Sequence, residues 1–296
     1  MQENLLFFAV IFNLFLSAGC QNNQTPSTEV DQGDYSIFQP DNLVAWCVVP
    51  FDSVNRGPES RAAMLENLGF KKFAYDWREQ HLSSFPEEVM ALKTHGIELT
   101  SVWWWIDGQG DQLLNKNNQR LLHYLDSLDI STDIWMSFAD NFFEGLDDSL
   151  KMAKAVEAID QLNQLASGVD CRLMLYNHGA WFGDPRNQVE IIQKSGIENI
   201  GLVYNFHHAH EQVEDFPMLL EVMLPYLNTV NSNGMNKQGL KILTVGAGNL
   251  EKEMLEVLAK SGFSGHVGII GHLENEDVEV VLARNLEGLQ KIISEF

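Results

Sequence analysis

The chain has 296 residues, 45% hydrophobic, 20% charged and 10% aromatic, which excludes a disordered chain, a collagen-like repeat and a coiled coil. Its 19 Lys and Arg face 41 Asp and Glu, a formal net charge of −22 that repels phosphate backbones and argues against nucleic acid as a partner. With 3 cysteines, no disulfide framework is expected.

Residues 1–19 read as an export signal. An apolar run at 5–16, too short to span a bilayer comfortably, precedes Ser17-Ala18-Gly19-Cys20. This ending resembles a bacterial lipoprotein signal, in which cleavage frees the cysteine for lipid attachment. It departs from the pattern in having no Lys or Arg in Met1-Gln2-Glu3-Asn4 and in placing Ser17 where Leu is usual. A plain secretory signal and an uncleaved anchor are the alternatives. The expected location is the cell envelope, with the membrane touched only through a lipid on Cys20. Residues 20–41, rich in Asn, Gln, Ser, Thr and Asp, read as a solvated tether. Cys47 and Cys171 lie in apolar runs and read as buried thiols.

From residue 42 to 296, short apolar runs alternate with amphipathic stretches. Strands are predicted at 43–51, 72–77, 98–106, 132–138, 172–176, 200–206, around 228–245 and at 266–270. Helices are predicted at 61–68, 85–94, 118–128, 148–166, 188–194, 216–226, 251–260 and 278–293. Gly69, Gly96, Gly168, Gly196 and Gly262 each close a helical pattern and are followed by an apolar residue, as a left-handed helix stop requires. Repeated βα units of this number and size predict a (β/α)8 TIM barrel. A doubly wound sheet is disfavoured because Val49-Pro50-Phe51-Asp52, not a glycine-rich fingerprint, follows the first strand.

In a barrel, chemistry sits where strands run into the following loops. Polar residues gather there: Asp76 and Arg78 after strand two, Asp107 after three, Asp140 and Glu144 after four. Asn177, His178 and Asp184 follow strand five; Asn205, His207, His208 and His210 end strand six. Asn231 and Asn233 belong to strand seven, His272 and Glu274 to strand eight. Five of the nine histidines thus cluster after strands five, six and eight, while His95 and His123 fall on helices and are expected to face solvent. All seven tryptophans fall in or just after strands one to five. They either pack barrel against helices or form an aromatic mouth for sugar rings, and Trp104 is assigned to the mouth. Gly246-Ala247-Gly248, placed at the end of strand seven with Asn249 capping the next helix, either offers amides to a phosphate or sugar oxygen or makes a tight turn. No Lys or Arg follows it immediately, so a phosphorylated substrate is disfavoured.

Three runs carry a resemblance: Leu175-Tyr176-Asn177-His178-Gly179, Tyr204-Asn205-Phe206-His207-His208-Ala209-His210 and Gly268-Ile269-Ile270-Gly271-His272. With the closing Asn285-Leu286-Glu287-Gly288-Leu289, they resemble the xylose isomerase-like barrels, the sugar phosphate isomerase/epimerase group that shares its fold with endonuclease IV. The resemblance implies a divalent metal held by acidic residues and histidines after strands five to eight. Here Tyr176 stands in place of the first Glu, Asn205 in place of an Asp, Asn231 near the strand-seven ligand and Gly271 or His272 near the last Glu. Either the metal is lost or His178, His208 and His272 recruit a softer ion such as zinc.

The sequence therefore points to an enzyme acting on a carbohydrate or polyol, an isomerase, epimerase or lyase that moves a proton alpha to a carbonyl. Asp76, His178 and His272 are the candidate catalytic residues. Trp104, Asn177, Asn205, His208, His210, Asn231 and Glu274 are the candidate substrate contacts. The alternative is a catalytically lapsed barrel that binds glycans at the cell surface. An endonuclease-like role is opposed by charge, export signal and missing carboxylates.

Overall fold

A computed structural model describes residues 33–108, 112–238 and 240–296; the export signal, Cys20 and the tether up to residue 32 lie outside the described residues. Eight βα units follow in order: β1 (Leu43–Trp46), α1 (Pro58–Asn67), β2 (Lys72–Tyr75), α2 (Phe85–Thr94), β3 (Glu98–Ile106) and α3 (Lys116–Ser127). Then come β4 (Asp133–Phe138), α4 (Asp148–Ser167), β5 (Arg172–Tyr176), α5 (Pro185–Ser195), β6 (Ile200–Asn205) and α6 (Phe216–Met223). β7 (Leu227–Ser232), α7 (Glu251–Lys260), β8 (His266–Ile270) and α8 (Val278–Ile293) complete the round. All eight strands are parallel, and β8 pairs with β1 to close the barrel. The predicted TIM barrel is the fold.

The helix starts follow from local chemistry. Proline occupies the first turn of α1, α2, α5 and α6, where its missing N–H is no loss. Asn115, Asp147, Asp184 and Asp277 accept the otherwise orphaned first-turn amides of α3, α4, α5 and α8. Of the predicted glycine stops, Gly69, Gly96, Gly196 and Gly262 have positive φ. Gly168 does not. It continues the right-handed turn of α4, and Asp170 takes the left-handed conformation at φ 55° instead.

The tether reading fails at its described end. Tyr35–Phe38 and Pro40–Asn42 form short 3-10 turns that bury Ile37 and Phe38, and Tyr35 stacks on Phe296 at 5.2 Å. Scattered apolar residues in a polar stretch hid this packing, and the compact unit that holds the barrel begins at Gly33. Strand seven is also shorter than predicted. It stops at Ser232, where a run of Asn, Gly and Lys begins, and a long loop leads to α7. His95 is not free in solvent: its ring nitrogens contact Glu66 at 2.7 Å and Glu59 at 3.1 Å.

Two apolar layers result. Alternate residues of each strand point outward and pack under the helices, Trp104 among them. The others fill the barrel axis, with Trp46, Trp135, Met174 and Tyr176 at its centre.

Candidate active site

At the carboxyl ends of the strands a cavity of about 550 Å³ opens above that axial plug. Trp46 and Tyr176 form its floor, and Trp77, Trp103, Trp105 and Phe51 contribute apolar wall. β3 explains the tryptophans. Trp103 and Trp105 share one face and stack at 6.2 Å, lining the cavity, while Trp104 points the other way and is fully buried beneath the helices. The assignment of Trp104 to the mouth is therefore corrected. Alternation reveals which residues share a face but not which face looks inward.

The polar groups form two opposed sets. Asp76, Arg78 and Glu79 line the side after β2. His178, His207 and His208 line the side after β5 and β6, and β6 lies diametrically across the eight-stranded ring from β2. The Asp76 side chain is 3% exposed, and its Oδ1 accepts the Val48 and Val49 N–H groups at 3.2 Å each. Its Oδ2 bonds to no protein group. Burial pushes this carboxyl up to about 6, against the opposing pull of the Arg78 cation and the two amides.

The imidazoles are neutral. Burial pushes His208 down to about 2 and His207 and His272 to about 4, for His207 against the raising hydrogen bond of the Lys241 carbonyl. Burial also lowers His178, against the raising influence of Asp140. The His178 and His208 rings meet edge to face at 4.4 Å, and His178 packs at 4.9 Å against Trp105. His178 Nδ1 is buried with no protein partner. His272 lies apart from that pair, its ring 3.6 Å from Phe51 and 5.7 Å from His207.

Several predicted contacts have other work. Asn177 does not line the cavity; its amide accepts the Asn205 N–H at 2.7 Å and donates to the Asn205 carbonyl at 3.0 Å, stapling the ends of β5 and β6. Asn205 borders the cavity, but its Nδ2 donates to the Tyr176 hydroxyl and its Oδ1 accepts the His207 N–H. Asn231 is wholly buried, its side-chain amide has no hydrogen-bond partner among the protein groups, and it lies so close over β8 that a Cβ on Gly268 would sit 1.8 Å from its Oδ1. His210 contacts the Asn236 and Lys241 carbonyls at 2.9 and 2.6 Å and fastens the loop after β7. Glu274 is exposed on the loop after β8, outside the cavity. The sequence reading missed Phe51, Glu79, Asn115 and Asn117 as lining residues. The two asparagines follow a loop beyond β3, and no motif marked them.

A divalent metal is implied by the resemblance, and the residues present do not fit one. Where carboxylates are required, Tyr176 and Asn205 hydrogen-bond to each other, and Asn205 and Trp46 aim N–H donors at the Tyr176 oxygen. Burial raises the Tyr176 phenol far above its ordinary range, so it stays neutral. Hard cations need anionic oxygens. Nor do the imidazoles substitute: among the described residues no group of three His, Cys, Asp or Glu is arranged to hold a metal ion, and His178, His208 and His272 do not form the predicted ligand set.

Solved structures share the architecture. The chain is similar to 3-keto-D-glucoside 4-epimerase, YcjR, from E. coli, with TM-score 0.64 and 14% identity over 85% of this chain and 99% of that one. It is similar to a D-psicose 3-epimerase studied in the presence of D-fructose, with TM-score 0.62 and 14% identity over 86% and 97%. A xylose isomerase-like TIM barrel protein from Mycobacterium smegmatis in complex with magnesium gives TM-score 0.56 and 14% identity over 86% and 97%. The fold is thus that of the xylose isomerase-like TIM barrels. No protein-family model and no curated protein matches the chain.

Proposed function

We propose that this barrel is a sugar isomerase or epimerase-like enzyme, or a lyase of the same logic, that moves a proton alpha to a carbonyl without a resident metal. The observation that carries the reading is Asp76: a buried carboxylate with one oxygen anchored by backbone amides and the other buried without a protein partner, beside an aromatic cavity with imidazoles across it. Indole faces suit the apolar faces of a sugar ring, and the polar rim suits its hydroxyls. The Asp76 carboxylate, which lines the cavity, takes the proton from the carbon next to the carbonyl. The electron pair moves into a C=C bond, and charge develops on the carbonyl oxygen, which a neutral His178 or His208 N–H stabilises by donating. Delivery of a proton from water to the other face, with Asp76 giving its proton up to solvent, gives an epimer; return of the Asp76 proton to the neighbouring carbon, after a proton shift between the oxygens, gives an isomer.

The named activities of the structural neighbours, a keto-glucoside epimerase and a D-psicose epimerase, support a carbohydrate substrate. The test is calorimetric titration with a panel of neutral ketoses and keto-glycosides, with products followed by NMR. Binding with interconversion is expected. Binding without turnover of any member supports the glycan-binding alternative.

A further inference from the structure

Among the described residues five that are not glycine have a positive φ, and four of them, Asn55, Asp129, Asp170 and Asn275, are of the types that tolerate it. Cys47, at φ 55°, is the fifth. It follows Trp46, the last residue of β1, and both line the cavity. The thiol does not account for this conformation. It is buried, and burial first and the Asp76 charge second push it well above its ordinary range, so it stays protonated. The backbone does account for it. With Cys47 left-handed and Val48 right-handed at φ −102° and ψ −54°, the successive Val48 and Val49 N–H groups converge on one atom, Asp76 Oδ1, at 3.2 Å each. Alternating hands of this kind make an anion-binding nest.

The turn is held from the end of β8. Gly271 donates its N–H to the Trp46 carbonyl at 2.7 Å, and a Cβ there would lie 2.9 Å from the Cys47 carbonyl oxygen. Glycine at this position lets the two strand ends approach. By contrast, the Gly246-Ala247-Gly248 turn lies outside the cavity with its amides closed by Glu251, and Leu250 rather than Asn249 precedes α7.

We propose that Cys47 is a positioning residue: its left-handed backbone, seated against Gly271, aims two amides at Asp76, fixing the rotation of the carboxylate and favouring its ionised form. This rests on the reading of Asp76 as the base. Hydrogen bonds to a carboxylate favour the charged state, and here they oppose burial, which pushes the group up to about 6. Arg78 opposes burial too. The other titratable groups around Asp76 are the Cys47 thiol, Tyr75 on β2, Glu79 on its own loop, and Glu88 of α2 paired with Arg61 of α1. Without the two amides the carboxyl should titrate higher, and the base should be ionised over a narrower range of pH.

The experiment follows the Asp76 carboxyl carbon by NMR through a pH titration of the full chain, labelled at aspartate and assigned by the signal lost in Asp76→Asn. Cys47→Val puts a β-branched side chain where the backbone must be left-handed, and should raise the midpoint by about one pH unit or more. Cys47→Gly removes a neutral thiol and keeps the conformation, so its midpoint should stay within about half a pH unit of the wild type. If Cys47→Val does not fold, Gly271→Ala, which presses on the Cys47 carbonyl and alters no charged group, carries the same comparison. An unmoved midpoint in the folded variant overturns the proposal. So does a Cys47→Gly midpoint that rises as far, since the thiol would then be the cause. Exchange of solvent deuterium into a ketose, measured beside it, should move its pH dependence with the carboxyl. If the carboxyl moves as expected and exchange does not follow it, the reading of Asp76 as the base falls and the nest stands.

Discussion

The indole N–H of Trp46 donates to the hydroxyl of Tyr176 at 3.0 Å, joining β1 to β5 across the full width of the barrel. Asn205 donates to the same oxygen from β6, and Asn231 approaches it from β7. A neutral, hydrogen-bonded plug thereby forms the floor of the cavity.

Removing its hub should be costly. Tyr176→Phe leaves the Trp46 and Asn205 donors buried without an acceptor, a loss of about 1–3 kcal/mol for each group so stranded. Urea denaturation checks this. The same floor should bind magnesium or manganese poorly, and Tyr176→Glu with Asn205→Asp should raise manganese affinity by calorimetry. Stoichiometric manganese in the wild type would show that the ligands lie elsewhere.

The tryptophans of β3 should separate by face. Trp104→Ala is expected to cost about 3–5 kcal/mol of stability, the usual result of emptying a large aromatic site in a core. Trp105→Ala should leave the melting temperature within a few degrees and weaken sugar binding about tenfold. Thermal melts beside calorimetric titration distinguish the two.

Acid should act through the imidazoles. His208 has a folded pKa of about 2 against an unfolded value of 6.5, so its contribution is fully present above pH 6.5 and is lost as pH falls below that. Between pH 7 and pH 5 the wild type should lose about 2 kcal/mol more stability than His208→Gln, because only the unfolded histidine takes up the proton. Chemical denaturation at the two pH values measures the difference.

At the amino terminus, Cys20→Ser is expected to release the protein from membranes or block processing of its precursor in a Gram-negative host. Membrane fractionation with immunoblotting checks it. Unchanged partitioning with a full-length precursor contradicts lipid attachment at this residue.

Much of the barrel was legible because its signals are local. β3, β5, β8, α2, α7 and α8 fall where the predicted ranges place them, each bounded by a proline, a cap or a glycine stop. Strand seven was overextended because its apolar residues continue past Ser232 into a loop fastened from β6 by His210. The site was legible as a clustering of polar residues at strand ends, and Asp76, His178, His208 and His272 do line one cavity. Side-chain partners were not legible. Asn177 and Asn205 find theirs across strands, and spacing along the chain says nothing of that. The inward face of β3 was equally hidden, since Trp103, Trp104 and Trp105 are chemically identical until the barrel closes.

The most direct measurement follows deuterium from solvent into a neutral ketose or keto-glycoside incubated with wild type and Asp76→Asn, read by NMR across pH. Asp76 titrates at about 6, above its ordinary 3.8, so the base is protonated and idle below that pH. Wash-in at the carbon next to the carbonyl should rise as pH climbs through about 6. It should fall at least about 100-fold in Asp76→Asn. The variant should melt no lower than the wild type at pH 7.5, since it removes a charge that burial disfavours there. Wash-in that is equal in the variant, or absent from every sugar the wild type binds, would contradict the account.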